Sequence, residues 1–189
     1  LVAVADYVLK HTPGNTVSNL SSSRALKDVT EAYGQQYHAA AVGEVNVVAE
    51  MKRTHSVIGG EGNGGVIYPE SHYGRDALVG VGLFLSHYVA QSKKMTELKS
   101  TYPPYFISKN KMTLSPDMDV DKILEGLKER YATEKVTDID GVKIDFAQGW
   151  VHLRKSNTEP IIRIYSEAKD EAAANQLAEE VIAAAKSTF

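Results

Sequence analysis

Apolar and polar positions alternate between two periods along the first hundred residues. Leu1, Val4, Val8 and Leu9 recur at helical spacing, and Thr12-Pro13-Gly14-Asn15 ends that helix. Thr16 to Leu20 reads as a short strand. Ser22 or Ser23 then caps a helix running to about Gln36, with Leu26, Val29, Ala32 and Tyr33 as its buried stripe. Tyr37 to Val42 reads as a strand, Glu44 to Lys52 as a helix, and Ser56 to Ile58 as a third strand before a glycine-rich loop. Asp76 to Ser92 is a long helix with Leu78, Val81, Leu85 and Val89 along one face. Strands separated by helices predict an α/β domain, three layers deep, with a mostly parallel sheet.

The order changes after Tyr102-Pro103-Pro104, where two prolines disfavour helix and mark a linker. Phe106 to Leu114 reads as a strand and Asp117 to Tyr131 as a helix with Ile123, Leu124 and Leu127 inward. Strands follow at Lys135 to Ile139, Val142 to Phe146, Trp150 to Leu153 and Ile161 to Tyr165. Asp140-Gly141 gives a two-residue hairpin signal between the first two. An alanine-rich helix from Asp170 to Lys186 closes the pattern. Clustered strands with flanking helices predict a smaller α+β domain with a mainly antiparallel sheet. The expected division is an α/β domain at 1–101 and an α+β domain at 105–189.

Composition excludes more than it identifies. The chain has 189 residues, 43% hydrophobic and 24% charged, with a net charge of −3. No excess of Lys and Arg points to nucleic acid. There is no cysteine, which removes disulfides and thiolate metal sites and fits a reducing, cytoplasmic setting. No apolar run approaches the ~20 residues that cross a bilayer, so no membrane partner is expected. The chain opens on an amphipathic helix at Leu1 with no lead-in, which reads as a piece of something longer.

Two loops carry the candidate chemistry. In Gly59-Gly60-Glu61-Gly62-Asn63-Gly64-Gly65, the glycines at 60, 62 and 65 match the spacing of a dinucleotide fingerprint. The fingerprint needs a helix to open at its third glycine, whereas Val66-Ile67-Tyr68-Pro69 is extended, and Glu61 would repel a phosphate. A carboxylate accepts hydrogens from vicinal diols, and an amide donates and accepts. Glu61 and Asn63, with Gly60 permitting close approach, therefore suit a sugar ring, against the alternative of a plain surface turn. Arg154-Lys155-Ser156-Asn157-Thr158-Glu159-Pro160, with Arg163 on the next strand, brings guanidinium, hydroxyl, amide and backbone donors together. A phosphate dianion takes this donor set, against the alternative of a polar hairpin turn.

Together the two loops, with Val42-Gly43-Glu44 and Gly74-Arg75-Asp76 in their places, resemble the last two domains of the α-D-phosphohexomutase family, over essentially the whole chain. The resemblance implies a four-domain enzyme around a cleft that interconverts hexose 1-phosphates and 6-phosphates. It does so through a phosphoserine, Mg²⁺ and a hexose 1,6-bisphosphate intermediate. It implies that Gly60, Glu61 and Asn63 hold the sugar and that Arg154, Ser156, Asn157, Thr158 and Arg163 clamp the non-reacting phosphate. The missing N-terminal domains of the polypeptide would then be the partner. No catalytic residue and no metal ligand is assigned in this chain, because the family's serine and metal loops have no match. Ser71-His72 is only an echo of the first. Asp117, Asp119 and Asp121 imitate the second but read as a helix N-terminus, and Lys122 excludes an EF-hand.

Departures bear on the substrate. Many mannose- and glucose-handling members have Ser-Gly-His where Asn63-Gly64-Gly65 stands, and glucosamine-type members combine it with Ser-Gly-Thr in place of Ser156-Asn157-Thr158. Ala41 stands near where some members place a sugar-contacting Lys. The pattern favours a phosphoglucomutase/phosphomannomutase, with a phosphoglucosamine mutase and a freestanding phosphosugar-binding module as alternatives.

Overall fold

The computed structural model describes residues 1–115, 118–156 and 158–187, and the chain divides into two compact units, Leu1–Pro104 and Tyr105–Phe189. In the first unit, parallel strands β1 (Thr16–Asn19), β2 (Tyr37–Ala40) and β3 (Ile58–Gly60) alternate with helices α1 (Val2–His11), α2 (Ala25–Ala32) and α3 (Glu44–Thr54). A fourth strand, β4 (Val66–Ile67), turns back antiparallel on β3, giving the order β2-β1-β3-β4. Alternation along the strands sends successive side chains to opposite faces. Val66 and Ile58 join Val4, Ala5 and Val8 of α1, whereas Ile67 and Val17 join Val47 and Met51 of α3. Two apolar clusters on two faces of one sheet make three layers.

Several local readings change. The glycines at 59 and 60 belong to β3 rather than to the loop after it. Gly59 faces α3, where a side chain would collide with the Met51 sulfur, and a Cβ on Gly60 would fall onto the Gly65 carbonyl oxygen. The helix predicted from Ser22 ends at Ala32, with Ala25, Leu26 and Thr30 buried and Ala32 exposed. Thr30 turns inward because its hydroxyl meets Thr16 at 2.7 Å and donates to the Leu26 carbonyl at 2.7 Å. Helix α4 (Ala77–Gln91) starts on Asp76, whose carboxylate accepts from the Val79 N–H at 3.0 Å. The stripe Leu78, Val81, Leu85 and Val89 does share a face of α4, but it is the outward one. A short helix α5 (Met95–Ser100), absent from the sequence pattern, follows. Beyond it the Tyr102 hydroxyl donates to Asp6 at 2.8 Å and lies 2.7 Å from the buried His87 Nε2.

The second unit is a five-stranded antiparallel sheet in the order β5-β9-β8-β7-β6, built from β5 (Phe106–Thr113), β6 (Lys135–Thr137), β7 (Val142–Asp145), β8 (Gly149–Lys155) and β9 (Ile161–Ala168). Helices α6 (Val120–Arg130) and α7 (Glu171–Lys186) supply Ile123, Leu127, Leu177 and Val181 to a core shared with Ile144, Val151, Leu153, Ile162 and Ile164. Asp119 caps α6 by accepting from the Asp121 and Lys122 N–H groups, as the reading of that acidic run expects, while Asp117 lies outside the described residues. Asp170 caps α7 through the Ala173 N–H.

The hairpin predicted at Asp140-Gly141 is longer than two residues. Thr137 pairs with Lys143, one step away from the register that a two-residue turn would impose. A one-residue slip exchanges faces. The observed register sets Val136 opposite Ile144, and both pack into the core. Apolar matching overrides the turn signal, and Ile139 is left 55% exposed in the connection. Among the described residues no helix is long and apolar enough to cross a membrane.

The close approach at Gly60 predicts that Gly60→Ala destabilises the first unit by about 3 kcal/mol, the upper end of what overpacking costs. Urea unfolding followed by amide exchange of β1 and β3 measures it. A loss under 1 kcal/mol would show that the β3–β4 turn opens to admit the methyl group.

Candidate functional site

The β3–β4 turn presents the first candidate site. Gly60 ends β3, and the Glu61 N–H donates to the Gly65 carbonyl at 2.9 Å, closing a tight loop. Glu61 is 4% exposed, and a carboxylate so buried needs partners to stay charged. Asn19, at the end of β1, donates to its Oε1 at 2.9 Å, and Ser22 fixes Asn19 from behind at 2.7 Å. Arg75 donates from Nη1 to Oε2 at 3.1 Å. The same guanidinium donates from Nε to Glu44 at 2.9 Å, while the Arg75 backbone N–H donates to the other Glu44 oxygen at 2.8 Å. That backbone bond, ahead of the side-chain bond, holds the Glu44 carboxyl below its ordinary range. Asn63 is exposed, and its Oδ1 accepts from the Gly65 N–H at 3.1 Å. Asn63, Gly64 and Gly65 line an open pocket of about 520 Å³ with Glu44, Arg75 and Asp76.

The second candidate site is the β8–β9 connection. Arg154 and Arg163 are directly opposite on neighbouring strands, and Lys111 of β5 is directly opposite Arg163 on its other side. Three cations therefore stand in a row across the face of the sheet that points away from the core. Like charges set opposite are destabilising unless something neutralises them. Asp140 pairs with Arg154 Nε at 3.2 Å, and Glu159 pairs with Arg163 at 2.9 Å. Between the two arginines the chain runs through Ser156, which is buried, and Thr158, which is exposed, with the Thr158 N–H aimed at the Ser156 hydroxyl at 3.4 Å. The loop is tied at its base by the Ser156 N–H to the Ile161 carbonyl and by the Leu114 N–H to the Pro160 carbonyl, each at 3.0 Å. Asn157 lies outside the described residues. A shallow pocket of about 300 Å³ adjoins this loop, lined by Lys109, Lys111, Glu159 and Arg163 among others; Arg154 and Ser156 do not line it.

His152, two residues before Arg154, is fully buried and donates from Nε2 to the Asp140 carbonyl at 2.7 Å. Burial pushes its pKa from 6.5 down to about 4, so the imidazole is neutral near pH 7. The backbone and the carboxylate of Asp140 are thus held by two residues of β8.

Four residues that sequence reasoning gave no role enter these sites: Arg75, Glu44, Asp140 and Lys111. Arg75 lies 14 positions from Glu61, and its role depends on where α4 begins. Lys111 enters through pairing across β9. Strand pairing of this range has no local signal.

The comparisons agree with the fold. Residues 1–105 match the phosphoglucomutase/phosphomannomutase alpha/beta/alpha domain III, and residues 109–184 match the C-terminal domain of the same group. The chain belongs to the phosphoglucomutase/phosphomannomutase family. A phosphoglucomutase/phosphomannomutase of Thermococcus kodakarensis is 37% identical over 93% of this chain and 39% of its own length. A phosphoglucosamine/phosphogalactosamine mutase of Sulfurisphaera tokodaii is 36% identical over 87% of this chain and 37% of its own. The chain therefore spans less than half of the curated relatives it matches. The crystal structure of a family protein from Burkholderia thailandensis superposes with a TM-score of 0.81 at 23% identity, covering 100% of this chain and 41% of that one. The N-acetylphosphoglucosamine mutase of Aspergillus fumigatus, solved with GlcNAc-6P and magnesium, gives a TM-score of 0.64 at 14% identity, covering 97% and 45%.

Two outcomes follow from the electrostatics. Arg75→Gln leaves a buried carboxylate short of a partner and should cost about 1–3 kcal/mol of first-unit stability in urea unfolding; an unchanged midpoint would show that Asn19 suffices. For His152, the unfolded chain binds the proton below about pH 6.5 and the fold resists it to about pH 4. Second-unit stability should therefore fall by about 3 kcal/mol over that window. The fluorescence of Trp150, the single tryptophan, reports it, and His152→Gln should flatten the slope.

Proposed function

We propose that this chain is the substrate-recognition part of a phosphohexose mutase of the phosphoglucomutase/phosphomannomutase kind. The observation that carries the reading is the row Lys111, Arg163 and Arg154, set side by side by strand register at the mouth of a hydroxyl-bearing loop. A phosphate dianion between the arginines converts their repulsion into charge-assisted hydrogen bonds, and Ser156, Asn157 and Thr158 complete its shell. Asp140 and Glu159 orient the two guanidinium groups and would share them with the ligand.

Glu61 accepts from Arg75 and Asn19 and still has lone pairs for sugar hydroxyls, and the Asn63 amide nitrogen would donate to the same ring. Gly60 lets the loop close tightly, with Glu61 buried at its base and Asn63 exposed beyond it. The work of these residues is positioning, from which phosphoryl transfer draws most of its rate. The transfer itself belongs to residues outside this chain, with a hexose 1,6-bisphosphate as intermediate. Mg²⁺, which the family resemblance implies, would polarise the transferred phosphate. Among the described residues no three His, Asp or Glu side chains gather to hold a metal ion. The names of the relatives divide between glucose/mannose and amino-sugar phosphates, so a phosphoglucosamine mutase is the second reading. A cytoplasmic place is part of the proposal.

Titration of the chain with glucose 6-phosphate, followed by amide NMR, should shift Ser156, Thr158 and residues 61–65. Arg154→Ala and Arg163→Ala should each weaken binding roughly tenfold or more, the worth of one charged hydrogen bond. Unchanged affinity in both variants would remove the clamp. Turnover of sugar phosphate by this chain alone would overturn the division of labour.

A further inference from the structure

Asn63 is followed by Gly64, and no other asparagine of the chain precedes a glycine. An asparagine amide can be attacked by the backbone nitrogen of the next residue, and a glycine there carries no Cβ to obstruct the approach. The other asparagines are guarded. Asn46 lies in α3, Asn110 in β5 and Asn175 in α7, where regular hydrogen bonds fix the backbone. Asn15 is tied at both ends of its amide, to the Thr54 carbonyl and the Gln36 N–H. Asn19 is 5% exposed and gives its amide nitrogen to Glu61. Asn157 lies outside the described residues and precedes Thr158. Asn63 stands exposed on the β3–β4 turn.

The turn prepares the attack. The bond from the Gly65 N–H to the Asn63 Oδ1, at 3.1 Å, folds the side chain back over the intervening Gly64 peptide. It also stabilises negative charge growing on that oxygen, as a backbone donor does in an oxyanion hole. Gly64 has a φ of +102°, and an added Cβ would meet nothing within 4 Å, so the peptide is bare on that side. One contact opposes: the Gly64 N–H donates to the Glu61 carbonyl at 3.1 Å. The net worth of a single hydrogen bond in an exposed turn is small, and it holds the nitrogen back by roughly tenfold at most.

We propose that Asn63 is a site of spontaneous deamidation, so that the turn exchanges an amide for a carboxylate as the protein ages. The Gly64 nitrogen gives up its proton and bonds to the Asn63 Cγ. The Cγ–Nδ2 bond breaks, and the amide nitrogen leaves as ammonia. Water then opens the cyclic imide at either carbonyl, giving aspartate or isoaspartate. One water enters and one ammonia departs, with no oxidant or reductant. The modification stands apart from the sugar-phosphate reading, but its effect on binding rests on that reading. Glu44 and Asp76 already line the pocket beside Asn63. A further carboxylate offers sugar hydroxyls acceptors only, where the amide offers two donors. Isoaspartate also lengthens the main chain inside the loop that the Glu61 N–H closes on the Gly65 carbonyl.

Trypsin releases residues 54–75 as one peptide in which Asn63 is the single asparagine. After incubation of the folded chain in mildly alkaline buffer, this peptide should gain the mass difference between Asn and Asp. It should do so roughly tenfold or more faster than the peptides carrying the other asparagines. An isoaspartyl methyltransferase should label it, because direct hydrolysis of the amide makes no isoaspartate, and Asn63→Gln should stay unchanged. Ion exchange separates the modified chain by its added negative charge. Its affinity for glucose 6-phosphate should fall roughly fivefold or more, as for a lost hydrogen bond, and Asn63→Asp should reproduce the fall. Modification no faster than at the other asparagines overturns the proposal, as does aspartate formed without isoaspartate. Modification at the expected rate with undiminished affinity overturns its effect on recognition. Failure of the fresh chain to bind glucose 6-phosphate defeats the functional reading and that effect together, while the mass shift still decides the modification.

Discussion

A carboxylate removed from water must be answered by donors, and Glu61 organises the first unit through that requirement. Its two oxygens draw a donor from the end of β1, through Asn19, and another from the segment ahead of α4, through Arg75. Arg75 in turn binds the first turn of α3 through Glu44. One buried charge thus ties a strand, a turn and the starts of two helices at one edge of the sheet. Those elements come from positions 19, 44, 61 and 75, and their convergence places the turn glycines at the mouth of a pocket. The ordering cost of the site is met in folding rather than in ligand binding.

The second unit solves the opposite problem with the same tools. Alternation along β8 and β9 assigns Val151, Leu153, Ile162 and Ile164 to the core and leaves Arg154 and Arg163 on the other face. Burying the apolar set therefore forces the cations into one row. Asp140 and Glu159 relieve part of their mutual repulsion, and under the proposed function a bound anion would relieve more.

The architecture was legible because it rests on local periodicity. The period-2 runs at 142–145 and 149–155, and the caps Asp76, Asp119 and Asp170, are signals that a single stretch of chain contains. Errors arose where distant residues decide. The Asp140-Gly141 signal predicted a two-residue turn, but pairing of Val136 with Ile144 chose another register. Thr30 looked polar and is buried because Thr16 awaits it. The apolar stripe of α4 was visible as a stripe, yet nothing in a helical period says which of two apolar faces meets the sheet. Of the candidate site, the loop residues were legible by type, whereas Arg75, Glu44, Asp140 and Lys111 depend on tertiary neighbours.

Asp140 illustrates how little freedom such a protein has to drift. It lies in the connection between β6 and β7, followed by Gly141 at a φ of +67°, where an added Cβ would strike the Leu153 carbonyl and the Arg154 backbone. Asn would serve the turn equally well, but it would forfeit the charge that steadies Arg154. Under the proposed function, a substitution neutral for folding is not neutral for recognition. The requirement on Arg154 extends to a residue 14 positions upstream, so the demand on the sequence is wider than the loop that would meet the ligand.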